Sequence, residues 1–311
     1  MRVRRSQRRA FCEREPFPRV RTPRPVTWIQ ALLLAVLQGI SELFPVSSLG
    51  HTVLLPALLR WNIDEGSDAF LAFVVALHLG TAIALIVFYW SDFARLTGAF
   101  AASVARGRFT DEADERTAWL LVAGTIPVGV LGVLFEGAVK GLFASPKPVA
   151  IFLAVNGVWM LAGEALRARQ HRNPTHPYRA LRQLRPAEGV FVGFVQSLAL
   201  LPGISRSGSA IVGGLLRDLR HADAARYSFL LATPVIFAAS VLELPKLFEP
   251  AAQAVLAQSA AGAVLAGLTA YASVAFLTRW FRHHDLAPFA WYCVVAGVLA
   301  FTLFATGVIP T

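Results

Sequence analysis

Apolar positions in this chain run in long blocks rather than at period 2 or 3.6. Residues 69–90, 117–135, 250–278 and 286–311 hold no Asp, Glu, Lys or Arg, while 148–163 and 227–242 are uncharged up to Glu164 and Glu243. A bilayer-crossing helix needs about 20 mostly apolar residues, so these six blocks predict six spans. Two further apolar regions are interrupted. The first, 26–61, contains Glu42, Pro45, Ser47, Ser48 and Gly50. The second, 188–216, contains Pro202, Gly203, Ser205, Arg206, Ser207 and Ser209. Each uninterrupted half is short for a full crossing. Broken helix at membrane depth is tolerated where it is buried in protein or lines a cavity, which predicts two re-entrant helical hairpins with polar tips.

The two interruptions recur at matching places. A shift of 157 residues sets Pro45 on Pro202 (202 − 45) and Ser48 on Ser205 (205 − 48), and three predicted spans follow each hairpin. Paired broken helices in two halves point to an inverted repeat with its site at the repeat interface. The expected fold is therefore an all-α polytopic membrane protein with about six transmembrane helices and two re-entrant hairpins in an inverted repeat. Its halves would be about 27–166 and 187–308, within a single membrane domain at 25–311.

Composition agrees. Of 311 residues, 56% are hydrophobic and only 15% charged, against about 25% charged in soluble domains. That excludes a disordered chain and disfavours a soluble enzyme. The net charge of +10 is concentrated: residues 1–24 hold nine Arg and two Glu, 9 − 2 = +7. This basic stretch reads as a disordered N-terminal tail suited to anionic headgroups, not as a nucleic-acid surface. The cysteines, Cys12 and Cys293, support neither a disulfide framework nor a metal site.

Charge also orients the spans. Segments 91–116, 165–186 and 279–285 are rich in Arg, and 62–68 is acidic. The positive-inside rule puts the first three in the cytoplasm. The parity of six spans then leaves the basic tail outside, which suggests a start-site error or an extension. Trp61, Trp90 and Trp280 read as interfacial anchors, and Glu164 and Glu243 as interfacial charges. His78 reads as a packed or hydrogen-bonded histidine, and 165–186 as a solvated loop. Asn156 and Glu188 carry no assignment.

The chemistry lies in the interruptions. In QGISELFPVSSLGH (38–51), Gln38 and Glu42 are four apart and share a helix face. Pro45 cannot continue that helix, so Ser47, Ser48 and His51 fall in or near the tip. Ionisable residues inside a membrane are functional candidates by default. In PGISRSGSA (202–210), small residues permit close backbone approach and Arg206 offers a planar fork suited to phosphate. A following helix would add its positive end. One tip offers Glu, Ser and His, and the other Ser205, Arg206 and Ser207. Together they hold what phosphoryl chemistry needs: an anion cradle, a nucleophile and a proton-handling group. A carboxylate with phosphate oxygens would also suit Mg²⁺ or Ca²⁺.

These two motifs resemble the signatures of the undecaprenyl-diphosphate phosphatase family of the bacitracin-resistance type, and similar stretches occur at 77–81, 125–129 and 227–234. The resemblance covers roughly 27–308. It implies an integral enzyme of the bacterial inner membrane that removes the terminal phosphate of a C55 polyprenyl diphosphate and so recycles the cell-wall carrier lipid. By this resemblance Ser48 is the nucleophile, with Glu42 and His51 handling its proton. Ser205 and Arg206 bind phosphate, joined by Ser207, Ser47 and Gln38. A divalent cation, Mg²⁺ or Ca²⁺, is expected at Glu42. The implied partners are the polyprenyl diphosphate and membrane lipids, with a homodimer compatible and no nucleic acid. Three departures stand out: Gln38 where many members have Glu, and Leu49 and Ala210 where Thr is usual. They bear on rate and metal dependence more than on class. The alternatives are a polyprenyl-phosphate translocase without hydrolysis, since broken helices in inverted repeats also build transporters, and a lipid-binding scaffold with a decayed site.

Overall fold

The computed structural model describes residues 26–110, 112–135, 137, 145–172 and 177–309. The basic tail and Cys12 lie outside the described residues. The described residues form helices joined by turns and loops, with an isolated bridge between Arg179 and Leu219. Its helices are α1 (Trp28–Ser41), α2 (Ser48–Leu58), α3 (Asp68–Phe88), α4 (Trp90–Arg106), α5 (Ala113–Leu134), α6 (Pro146–Gln170), α7 (Pro186–Gln196), α8 (Arg206–Leu215), α9 (His221–Glu243), α10 (Leu256–Trp280) and α11 (Ala287–Ala305).

Six segments are long and apolar enough to cross a bilayer: α3, α5, α6, α9 with its extension to Phe248, α10 and α11. Each coincides with one of the six apolar blocks, so the protein is a multi-pass membrane protein. Helix α4 is the addition. Its sequence falls in the segment read as an Arg-rich loop, yet Asp92, Leu96 and Ser103 form a buried stripe along it. Helical spacing of a few inward positions outweighed the polar average, and the helix lies against α5.

The four short helices come in pairs. α1 and α7 each open with the third helical residue's side chain accepting from the cap N–H: Thr27 N–H donates to Gln30 Oε1 (2.9 Å), and Arg185 N–H donates to Glu188 Oε2 (2.8 Å). Each uses the residue at the third helical position to satisfy an orphan donor. α2 and α8 open on serine caps, with Gly50 N–H donating to Ser47 Oγ (3.2 Å) and Gly208 N–H to Ser205 Oγ (3.1 Å). The offsets agree, since 186 − 28 = 158 and 206 − 48 = 158. The helix starts and their caps are therefore offset by 158, whereas the two prolines are offset by 157. Ser205 corresponds to Ser47 as a cap, and Arg206 corresponds to Ser48.

Partners are exchanged between the halves. α1 packs on α10 and α7 packs on α5, while α3–α9 and α6–α11 pair across the middle. Small residues bring these helices close. A Cβ on Gly39 of α1 would lie 2.4 Å from Ala266 O of α10, and one on Gly193 of α7 would lie 2.3 Å from Gly124 O of α5.

Candidate functional site

The two tips meet inside the bundle, and the contact is reciprocal. A Cβ on Gly50 would stand 3.1 Å from the Gly203 Cα, and one on Gly208 would stand 3.2 Å from the Pro45 Cβ. In the 158 register Gly50 matches Gly208 and Pro45 matches Gly203, so each tip presents the same positions to the other. Asn156 of α6, fully buried, joins them. Its Nδ2 donates to Pro45 O (3.1 Å), and its Oδ1 accepts from Ser205 N–H (2.9 Å). Ser207 Oγ adds a bond to Phe44 O (3.2 Å).

Glu42 is the centre of the polar contacts. Its Oε1 accepts from Arg206 Nη2 at 2.6 Å across the two tips. Its Oε2 accepts from Ser48 Oγ at 2.6 Å and from Gln38 Nε2 at 2.9 Å. His78 Nε2 lies 3.5 Å from the same oxygen. The other His78 nitrogen is 2.9 Å from Val74 O. A carbonyl only accepts, so Nδ1 carries a hydrogen, and Nε2 is the ring nitrogen turned towards Glu42. Arg206 Nη1 is buried with no hydrogen-bond partner among the described residues. A buried guanidinium nitrogen without an acceptor is costly, and it leaves one prong of the fork open to an anion.

Backbone geometry presents the serine. Ser47 has φ 71° and ψ 99°, a region that side-chain-bearing residues rarely adopt and that costs of order 1–3 kcal/mol. Ser48 follows as the first residue of α2. The first N–H groups of a helix have no intrahelical acceptor, so α2 and α8 each bring orphan donors and a positive end to the same place.

These groups wall a cavity of about 420 Å³. Glu42, Ser47, Ser48, Ser205, Arg206 and His78 form its polar part. Val74, Val128, Leu200, Val235, Ile236 and Ala239 line it as an apolar groove, with Ser41, Ser240 and Glu243 also on its wall. The remaining sequence candidates stand elsewhere. Gln38 lies behind Glu42 and orients it. Ser207 ties the tips together. His51 is turned away: its Nδ1 meets Ser47 O (2.7 Å), and its Nε2 meets Tyr292 Oη (2.8 Å), with the two rings stacked.

Two residues that the sequence reading left without chemistry enter here. Asn156 is an amide in an apolar span, which is a signal in itself. His78 lies within one of the stretches that carry the family resemblance, but sequence alone gives no reason to aim it at Glu42. Glu164, read as interfacial, accepts from Leu286 N–H (3.0 Å) and pairs with His221 (2.7 Å), joining α6, α9 and α11.

Fold and site together define a polytopic, all-helical membrane protein with a buried serine–carboxylate–guanidinium cluster at the starts of two short helices. The chain belongs to the bacitracin resistance protein BacA family, whose description matches residues 31–299. It is 46% identical over 293 residues to a protein of Mycolicibacterium paratuberculosis named undecaprenyl-diphosphatase, covering 88% of this chain and 95% of that one. A protein of the same name from Acidiphilium cryptum is 46% identical over 290 residues, 91% of this chain and 100% of the relative. One from Granulibacter bethesdensis is 47% identical over 290 residues, 89% and 97% respectively.

Proposed function

We propose that this protein hydrolyses undecaprenyl diphosphate to the monophosphate and inorganic phosphate in the bacterial inner membrane, recycling the carrier lipid of cell-wall synthesis. The observation that carries this reading is the Ser48–Glu42–Arg206 chain: a hydroxyl bonded to a carboxylate, which is bonded to a guanidinium with a free nitrogen. A translocase needs the guanidinium but not a nucleophile primed by a base. The names of the relatives point the same way.

The diphosphate binds between the helix starts of α2 and α8, with Arg206 Nη1 and the orphan N–H groups on its oxygens. The isoprenoid lies along the apolar groove. Ser48 Oγ attacks the terminal phosphorus and passes its proton to Glu42 Oε2. The bond from phosphorus to the bridging oxygen breaks, and the polyprenyl monophosphate leaves with that proton. Water then attacks the phosphoserine, giving a proton to Glu42. Inorganic phosphate leaves, and Glu42 returns the proton to Ser48. His78 Nε2 is placed to share the proton held by Glu42. His51 fixes the strained Ser47 carbonyl rather than touching the substrate.

The divalent ion fits best as a companion of the substrate. Glu42 is the carboxylate that would join its coordination, with diphosphate oxygens and water supplying the rest. Among the described residues no group of three His, Cys, Asp or Glu is gathered to hold one alone. When bound, the ion would neutralise charge on the diphosphate. We likewise propose that both hairpins are re-entrant and that the halves form an inverted repeat, supported by the shared 158 register, the exchanged partners and the reciprocal tip contact.

The test is phosphate release from C55 diphosphate by purified protein, with and without a chelator. Wild type should release phosphate, and chelation should lower the rate. Arg206→Ala should abolish release, and near-normal activity in that variant would overturn the assignment.

A further inference from the structure

The far end of the bundle holds a second cavity, of about 800 Å³, that the proposed reaction does not use. It lies where the C-terminal end of α6, the N-terminal end of α9 and the α10–α11 connection meet. Its wall carries Arg167, Arg220, Arg282 and His283, with Trp280 and Phe281 as an aromatic floor. Val235 of the first cavity is 14 residues along α9 from His221 of the second (235 − 221), about 21 Å at about 1.5 Å per residue, and the two cavities share no lining residue.

The cations here are under-neutralised. Arg220 and Arg282 make no ion pair or hydrogen bond from their side chains among the described residues. Arg167 is laid over the Tyr178 ring, 4.8 Å from its centroid, with its Nε buried and without an acceptor. Asp285 is the carboxylate on the wall, and it is committed to capping Ala287 N–H (3.1 Å). His221 is committed to Glu164 (2.7 Å).

We infer that this cavity is a binding site for the phosphate headgroup of an anionic membrane phospholipid. Concave geometry, three guanidinium groups from three different segments and an aromatic floor suit a phosphodiester with glycerol attached. The volume exceeds what an inorganic phosphate ion would fill. The segments that form it carry the Arg-rich loops, so it faces the side where the positive-inside rule expects anionic lipid.

The test uses purified full-length protein, stripped of lipid in neutral detergent, with bound lipids counted by native mass spectrometry. Phosphatidylglycerol should be retained and should raise Tm, while phosphatidylcholine should not. Arg220→Gln/Arg282→Gln should weaken phosphatidylglycerol retention by about tenfold or more. Arg169→Gln/Arg172→Gln alters exposed arginines outside the cavity wall, and this control should retain the lipid as wild type does. Equal loss in both double variants would mean a diffuse basic face and would overturn the site. So would loss in neither, or equal retention of phosphatidylcholine. Inorganic phosphate is titrated separately. Binding of the free ion that displaces the lipid would overturn the headgroup assignment in favour of soluble phosphate. None of these variants touches the candidate catalytic cavity, so phosphate release should survive them.

Discussion

The two tips share one backbone device and carry different chemistry. Each begins a helix with a serine cap that holds a glycine N–H, Ser47 with Gly50 and Ser205 with Gly208. In the 158 register Ser48 faces the position of Arg206, and Glu42 that of Leu200. The first tip therefore holds the hydroxyl and the carboxylate, and the second holds the cation. Their backbones differ as well. The first takes its positive φ at Ser47 (71°), next to the Ser48 hydroxyl bonded to Glu42, and the second takes it at Gly203 (108°), where no side chain pays a steric cost. Gln38 and its counterpart Gln196 make the same point. Gln38 donates to Glu42, whereas Gln196, fully buried, has no partner among the described residues because its helix carries no carboxylate at the matching place. Two helix starts share one serine-capped backbone device, and single side chains set them apart.

That division can be broken most sharply at the two serines. Ser48→Ala should lower phosphate release by at least about a thousandfold, as loss of a nucleophile does. Ser205→Ala should cost about tenfold, together with roughly 1 kcal/mol of stability from the lost cap. Equal losses in the two variants, measured by phosphate release and thermal unfolding, would end the distinction between the tips.

The charged pair sharpens it next. Glu42→Gln keeps the shape but removes the base, and should cost about 10²–10⁴-fold in kcat. Arg206→Lys keeps the charge but not the fork, and should cost about 10²-fold. Glu42→Gln also leaves the Arg206 charge buried and uncompensated, at about 3–5 kcal/mol, so its kcat is read beside its Tm, and Arg206→Lys, which keeps both charges, is the cleaner variant.

Asn156→Ala tests whether the tips must be held in register. It strips bonds from Pro45 O and Ser205 N–H and should lower kcat by about 10²-fold through misplacement of the cradle. Unfolding should come about 1–3 kcal/mol sooner. Wild-type kcat in a variant with lowered Tm would reduce Asn156 to a purely structural role.

The histidines give the smallest effects. His78→Gln should lower kcat by about tenfold to a hundredfold and change the pH profile of kcat. His51→Ala should lower it by less than about tenfold without changing that profile, and Tyr292→Phe should match it. A His51 variant that loses activity and pH dependence as strongly as the Glu42 variant would return that residue to the reacting centre.

Much of this was legible in the residues. The six apolar blocks gave the spans because hydrocarbon tolerates few charges. Glu42 and Arg206 stood out for the same reason, as charges interrupting apolar runs. The order and pairing of the short helices were not legible at single-residue accuracy. Proline is the most conspicuous mark in each motif and aligned the tips at 157. Helix capping, which depends on where each chain segment turns, aligns them at 158. Helix α4 was hidden because Ser91, Asp92, Arg95, Ser103 and Arg106 break up its apolar run and its inward stripe is only a few residues wide.

By itself, the sequence determined a membrane-embedded helical protein with two polar breaks and the ingredients of phosphate chemistry. That follows from transfer energies and motif composition, which are local properties. Only the tertiary structure decided which ingredients meet. The Glu42–Arg206 bond spans 164 residues of chain. Asn156 reaches both tips from a third element, and His78, rather than His51, is the imidazole beside Glu42. Helix spacing constrains neighbours within a few residues, and contacts between distant segments depend on how whole helices pack.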